Sequence, residues 1–400
     1  MYDAIIIGAR CAGSATAMLL ARRGYSVLLL DRAKFPSDTV STHIIKYPGV
    51  QQLEKWGLLD EVLATNCPPI REVSTDLGDF RLSGTAPPKD GIPMIAPRRT
   101  VLDQILVEAA IEAGAEVREE FVVRKLLTEG DHVTGIHGQP RGEAPVTERA
   151  RIVIDAGGKN SLLTRTVQAS VYDEQPPQAF YYYTYWPDLP VDSLDIYWRE
   201  HLFVLGIPTN DGLTCLVVGR PIAYFQEFSV DIEANYHKGL EIAPAIADVV
   251  RASQPTEPLI GTAVPNYFRK PYGPGWALVG DAGFCMDPLQ GHGISDAFCD
   301  AELLAEAVDA GFSGRQPLEE GLAEYERTRN EREVGHYERN WKGARMEGWD
   351  APSERRLRAA LRETPDEADR WAGTRALSVG HDEFYGSAFV RGVLAETPSR

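Results

Sequence analysis

The stretch DAIII (3–7) is a short unbroken apolar run, the pattern of a parallel strand buried on both faces. SATAMLLARRG (14–24) then brings Ala, Met and Leu back at helical spacing and stops at Gly24. YSVLLLD (25–31) is a second buried run, so the chain opens with a predicted strand–helix–strand unit of about 30 residues. LDQILVEAAIEAGAEVRE (102–119) reads as an amphipathic helix, a stop at Gly114 and a further strand. VVRKLLTEGDHVTGIHG (122–138) predicts a hairpin closing on EGD, QPRGEAPVTE (139–148) a polar solvent loop, and ARIVIDAGG (150–158) another buried strand running into glycines.

From about residue 172 the pattern changes. QAFYYYTYWPDLP (178–190), LDIYWRE (194–200), HLFVLGIP (201–208) and LTCLVVG (213–219) are aromatic and β-branched runs, which predict an antiparallel sheet. Two helices are expected near 225–238 and 241–252. GWALVGDAGF (275–284) restores the buried-strand pattern, a long helix follows over ISDAFCDAELLAEAVDAG (294–311), and 316–400 is helical and charged with breaks near Pro352 and Pro365. The expected fold is α/β: a Rossmann-like unit interleaved with an antiparallel sheet module, and a helical C-terminal tail.

Composition narrows the class. A hydrophobic content of 44% and a charged content of 25% are ordinary for a globular chain. The net charge of −17 argues against a nucleic-acid partner. The chain starts directly on its first strand and has no apolar run of membrane-span length, so a cytoplasmic protein without a membrane partner is expected. The five cysteines are scattered without metal-like spacing, as for reduced thiols.

GARCAGS (8–14) lies where the glycine fingerprint of a dinucleotide-binding turn belongs, with Gly8 and Gly13 in the first and third glycine positions and Arg10 in the second. Arg10 either adds a charge-assisted bond to phosphate or projects to solvent and leaves the diphosphate to the helix N-terminus. Asp31 ends the second strand, 18 residues after Gly13, where an acid accepts from ribose hydroxyls or caps the next turn. Far downstream, ALVGDAGFCMDPLQGHGISDAF (277–298) ends a strand at Gly280–Asp281 and opens a helix through Pro288, Gly291 and Gly293. Asp281 is suited to a polyol hydroxyl there, and the glycines expose backbone amides to a partly anionic heterocycle.

The combination of GARCAGS with GDA…DP…GxGI resembles the para-hydroxybenzoate hydroxylase-like FAD-dependent oxidoreductases, which include aromatic hydroxylases, geranylgeranyl reductases and flavin-dependent halogenases. The resemblance covers roughly 1–335. It implies a discontinuous FAD-binding domain (1–70, 97–171 and 265–335), a substrate domain (72–96 and 172–264) and a C-terminal helical segment (336–400). It places Gly8, Arg10, Gly13, Ser14, Asp31 and Arg32 at the nucleotide end and Asp281 at the ribityl chain. Gly291, Gly293 and Ile294 would lie at the pyrimidine edge, and Pro288 near the ring. RRTVLDQIL (98–106) would bring Arg99 to the phosphate or ribityl region, FPSDTVSTHIIKYPG (35–49) would wrap the ring with Ser41, Thr42 and His43, and Val123 would offer its backbone to adenine. His43 and His292 are the acid–base candidates, each also readable as a structural side chain.

Two departures from the resemblance matter. The hydroxylases carry Asp-Gly after the central strand, whereas VIDAGGKNS (153–161) has Gly157 at that Asp and Asp155 two positions earlier, so NADH or NADPH serves directly or through a partner reductase. LFVLGIP (202–208) sets Phe203 and Leu205 where the halogenase pattern has two tryptophans, which argues against halogenation. The implied activity is a monooxygenase that uses O2, through a flavin hydroperoxide, on an electron-rich aromatic or polyketide-like small molecule. The alternatives are a geranylgeranyl reductase-like alkene reductase and a non-catalytic flavoprotein.

Overall fold

Tyr2–Ile7 (β1) runs through the middle of a parallel sheet because Ala4, Ile5 and Ile6 have protein on both sides. Cys11–Arg22 (α1) leaves the strand end through the glycine turn, with residues 11–21 buried, and returns to Val27–Leu30 (β2) beside β1. The computed structural model, which describes residues 1–348 and 351–395, extends this sheet in the order Trp276–Leu278, Val146–Asp155, β1, β2, Glu116–Arg118, all parallel. The hairpin Phe121–Glu129/His132–Pro140 pairs onto Val146–Asp155.

Ala179–Pro187 (β3) belongs to a second sheet of seven strands, in the order Ile260–Thr262, β3, Leu213–Pro221, Leu202–Pro208, Leu194–Arg199, Glu72–Asp76, Arg81–Thr85. The period-two alternation of β3 splits its aromatic residues cleanly. Phe180 and Trp186 join a core under the helices Ile232–Leu240 and Pro244–Ala252. Tyr181, Tyr183 and Tyr185 join the opposite core, which the C-terminal helices cover through Leu357, Leu361, Trp371 and Phe384. Gly293–Phe312 (α2) packs on α1 and on Leu318–Gly343 (α3), and Pro365–Ala376 (α4) lies against Arg81–Thr85.

Three expectations differ from the structure. The second sheet is not wholly antiparallel, because Leu194–Arg199 pairs in parallel with Glu72–Asp76. Only the middle of 139–148 is loop: the strands run to Pro140 and resume at Val146, with Gly138 paired to Val146, so the ladder persists almost to the turn. The helix expected over 225–238 breaks into Phe225–Phe228 and Ile232–Leu240, since Asp231 (φ −150°) accepts from the Ala234 N–H at 3.0 Å and caps a fresh start.

The turn between β1 and α1 tolerates almost no added atoms. A Cβ on Gly13 would stand 1.8 Å from the Gly8 carbonyl oxygen, and one on Gly8 (φ +101°) 2.7 Å from that of Ala156. Gly13→Ala is therefore expected to lower folding stability by at least roughly 1–3 kcal/mol, the usual cost of forcing a methyl into closed packing. Urea denaturation of flavin-free protein measures this, and an unchanged midpoint would show that the strand–helix contact is looser than described.

Candidate active site

No side chain caps α1, its first turn carries no acid, and among the described residues nothing accepts from the Cys11, Ala12 and Gly13 N–H groups. A helix start left in this way attracts an anion. Beneath it the fully buried Asp103 carboxylate meets two arginines: Arg10 Nη1 at 2.6 Å, and Arg99 through Nε at 3.0 Å and Nη2 at 2.8 Å. Two guanidinium groups on one carboxylate leave a net positive charge below the free amides. Arg10 also donates to Ser37 O, Ser37 Oγ and Asp38 O. The guanidinium thus ties the turn to the 37–38 loop and to Asp103.

Asp31 does the capping that its position allowed, with Oδ2 accepting from Ala9 N at 2.7 Å and Oδ1 from Ala33 N at 2.8 Å. One lone pair on each oxygen stays available. Ser14 is fully buried and donates to Ala9 O, while Arg32 is exposed. Val123 stands two residues beyond Phe121, whose N–H donates to Asp31 O at 2.8 Å, so its strand reaches the nucleotide end of the groove. Asp155, by contrast, is fully buried and consumed by its own turn, accepting from Gly157 N, Ser161 Oγ and Leu163 N.

Further along, a cleft is lined by Gly280, Asp281, Gly293 and Ala297. Asp281 opens into this groove yet has protein walls around it; they hold its carboxyl above the usual carboxylate range, against the pull of Arg99 and Lys159. Gly293 begins α2 with nothing within 4 Å of where a Cβ would stand. Gly291 (φ +64°) makes the preceding turn, which Asp287 caps through the Leu289 N–H at 3.0 Å.

The segments on either side of this cleft are tied together by β3, whose Tyr181, Tyr183 and Tyr185 are buried on one face. Its three inward tyrosines hold both loops expected to flank the ring. Tyr181 OH donates to Asp287 Oδ1 at 2.5 Å, Tyr183 OH accepts from Ser41 N at 3.0 Å, and Tyr185 OH pairs with His43 Nε2. Arg98 lies 4.1 Å above the Tyr185 ring. Burial, then Arg99 and Arg98, brings the His43 imidazole down to about 3, so it is neutral at ordinary pH, and its buried Nδ1 has no partner among the described residues. Burial pushes the Asp287 carboxyl up to about 7. The period-two spacing of AFYYYTYWP (179–187) was the signal that could have put all three tyrosines on one face. His292 behaves differently from the other candidate: it packs edge-on against His336 of α3, ring centroids 5.0 Å apart, and faces a second cavity.

Free amides over a positive charge, an acid in a walled groove and a glycine with open space fit a long dinucleotide carrying a planar ring. Comparison with known proteins agrees. Digeranylgeranylglycerophospholipid reductase 2 of Methanopyrus kandleri is 28% identical over 326 residues, covering 77% of this chain and 78% of its own. The tryptophan 2-halogenase of Chondromyces crocatus is 26% identical over 336 residues, 81% of this chain and 64% of that one, so this chain spans less than two thirds of that relative. The structure of PqsL, a probable FAD-dependent monooxygenase from Pseudomonas aeruginosa, shares the fold at a TM-score of 0.70 and 19% identity, over 94% of this chain and 100% of its own. No helix among the described residues is long and apolar enough to cross a membrane. The FAD binding domain family matches residues 1–256 of the 400, and the chain therefore belongs to it: this protein is a flavoenzyme, an FAD-dependent oxidoreductase.

Proposed function

We propose that this flavoenzyme is a monooxygenase acting on an electron-rich, aromatic or polyketide-like small molecule. The observation that supports the reading is the row Tyr181–Tyr183–Tyr185, which sets phenols and the His43 imidazole between the two ring-flanking loops. An aromatic row with polar tips beside the flavin site suits a flat ring bearing hydroxyl groups better than a long aliphatic chain. FAD, once bound and reduced, supplies the activation of O2.

The residues of the chain do the rest. The Cys11–Gly13 amides, with Arg99 and Arg10 behind them, hold the diphosphate, and Asp31 keeps one lone pair per oxygen for the ribose. Asp281 and Arg99 take the ribityl chain, the Gly293 and Ile294 amides face the pyrimidine edge, and Ser41, Thr42 and Pro288 border the ring. His43, neutral and hydrogen-bonded to Tyr185, holds or passes a proton at Nε2 without carrying charge into the site. The sheet module 72–96 and 172–264 carries the substrate wall. An alkene reductase is the second reading, favoured by the 28% identity to a digeranylgeranylglycerophospholipid reductase.

Three outcomes are expected. Gly293→Ala should leave flavin-free stability within about 0.5 kcal/mol, since its methyl enters open space, while FAD affinity falls at least about tenfold as the methyl takes ring volume. Melting curves and fluorescence titration read the two separately, and full FAD affinity would remove Gly293 from the ring site.

In stopped flow, reduced protein mixed with oxygenated buffer should show a transient absorbance before oxidised flavin, with oxygen uptake rising on addition of a phenolic substrate. Alkene saturation without oxygen uptake would replace this reading with the reductase one.

Finally, with Asp155 spent on its turn and Gly157 offering no carboxylate, the holoenzyme alone should oxidise NADH or NADPH slowly, and an added flavin reductase should restore turnover. Fast direct oxidation would dispense with the partner.

A further inference from the structure

Behind the flavin turn, between α2, α3 and α4, lies a cavity of about 460 Å³. Gln290 and His292, the neighbours of Gly291, form its near wall; His336 and Arg339 come from α3, and Thr374 and Arg375 from α4. His292 is 2% exposed and lines this cavity, and neither of its ring nitrogens has a partner among the described residues. Buried polar groups in that condition are uncommon in native proteins and call for a hydrogen-bonding group that fills the space.

Arg332 on the cavity wall is paired with Asp300 and Glu333, but two other cations there lack an ion pair among the described residues. Arg339 donates toward the His336 ring, Nη2 to Nδ1 at 3.4 Å, and acts on the Asp382 carboxylate only from beyond ion-pair distance, while Arg375 lies 5.3 Å from the Trp371 ring; neither has an ion-paired carboxylate among the described residues. Lys46, 4% exposed, lies near enough on the neighbouring strand to feel Arg375. The acids nearby are mostly engaged. Asp382 sits 2.9 Å from His381, Glu383 3.4 Å from Arg370, Glu331 3.8 Å from Arg327, and Glu333 pairs with Arg332. Burial and then Glu333 hold Asp296 well above the usual carboxylate range, so it adds little negative charge.

We propose that this cavity is an oxyanion-binding site that receives the carboxylate or phosphate of a small organic molecule between Arg339, Arg375 and the His292 ring. The two guanidinium groups supply forked donors suited to either group, and the neutral imidazole supplies a further hydrogen bond. Burial, reinforced by Arg375, brings the Lys46 ammonium down to about 7, and burial with Arg339 brings His336 down to about 4. The site lies directly behind Gly291, so an anion there supports the turn that faces the flavin, whichever reaction the flavin performs.

The test is calorimetric titration of the FAD-loaded protein with inorganic phosphate and, separately, with benzoate. Arg339→Gln and Arg375→Gln are compared with wild type, and Arg149→Gln on a remote exposed strand serves as the charge control. Both cavity arginines are half-buried and outside the structural ion pairs, so the variants are expected to fold and retain flavin, which the visible spectrum verifies. Binding of at least one probe, weakened at least about tenfold in each cavity variant and unchanged in Arg149→Gln, supports the site. Phosphate alone would assign it to phosphorylated molecules, benzoate alone to carboxylic acids, and both to oxyanions generally. Binding of neither probe, or binding that survives both substitutions, overturns the proposal.

Discussion

The Asp103 carboxylate, buried out of contact with water and gripped by Arg10 and Arg99, is the interaction on which the cofactor end of this protein depends. A buried carboxylate is costly to desolvate unless its partners satisfy it, and here two guanidinium groups do so from different segments. Arg99 is on the same helix, whereas Arg10 comes from the glycine turn and reaches on to Ser37 and Asp38. One side chain therefore ties together the turn, the helix Arg99–Glu112 and the loop that leads to Ser41. The substitution of glycine by arginine in the fingerprint follows from this: its backbone still leaves the helix amides free, and its side chain is directed away into the protein.

The surplus positive charge of that cluster has a second consequence. Arg99 and Arg98 lie close enough to His43 to reinforce what burial does, and the imidazole stays neutral. A neutral ring bonded to a tyrosine can act as donor or acceptor without bringing an uncompensated charge into the low-dielectric space between sheet and cofactor. The chemistry of the site is thus linked to the electrostatics of the phosphate end through two adjacent arginines.

β3 provides the mechanical counterpart. Three alternate residues of one strand bond to the 41–43 loop and to the turn at Asp287, and Asp287 is itself held by Asn266 Oδ1 at 2.7 Å and by the Asn340 side chain from α3. The two lobes therefore meet through directed hydrogen bonds, and a shift of the sheet moves both loops together. Packing of the C-terminal helices over the tyrosine face, through Trp371 and Phe384, stiffens the same strand.

Much of this was legible along the chain. Unbroken apolar runs and Gly8, Gly13 and Asp31 specify the nucleotide unit locally, since buried parallel strands and a tight strand–helix turn leave few residue choices, and the GDA…DP…GxGI stretch adds the second half of the cofactor groove. The helix break at Asp231 and the parallel pairing of Glu72–Asp76 with Leu194–Arg199 depend on a cap and on a partner strand over a hundred residues away, which no local window contains. The same holds for the partner of Arg10, for the grip of Tyr181, Tyr183 and Tyr185 on two distant loops, and for the turning of His292 toward α3 while His43 stays with the sheet. Residue type and spacing determine which groups are present and which face they share. Long-range packing alone decides which of them meet, because burial and unpaired hydrogen-bonding groups become costly only once the distant segments close around them.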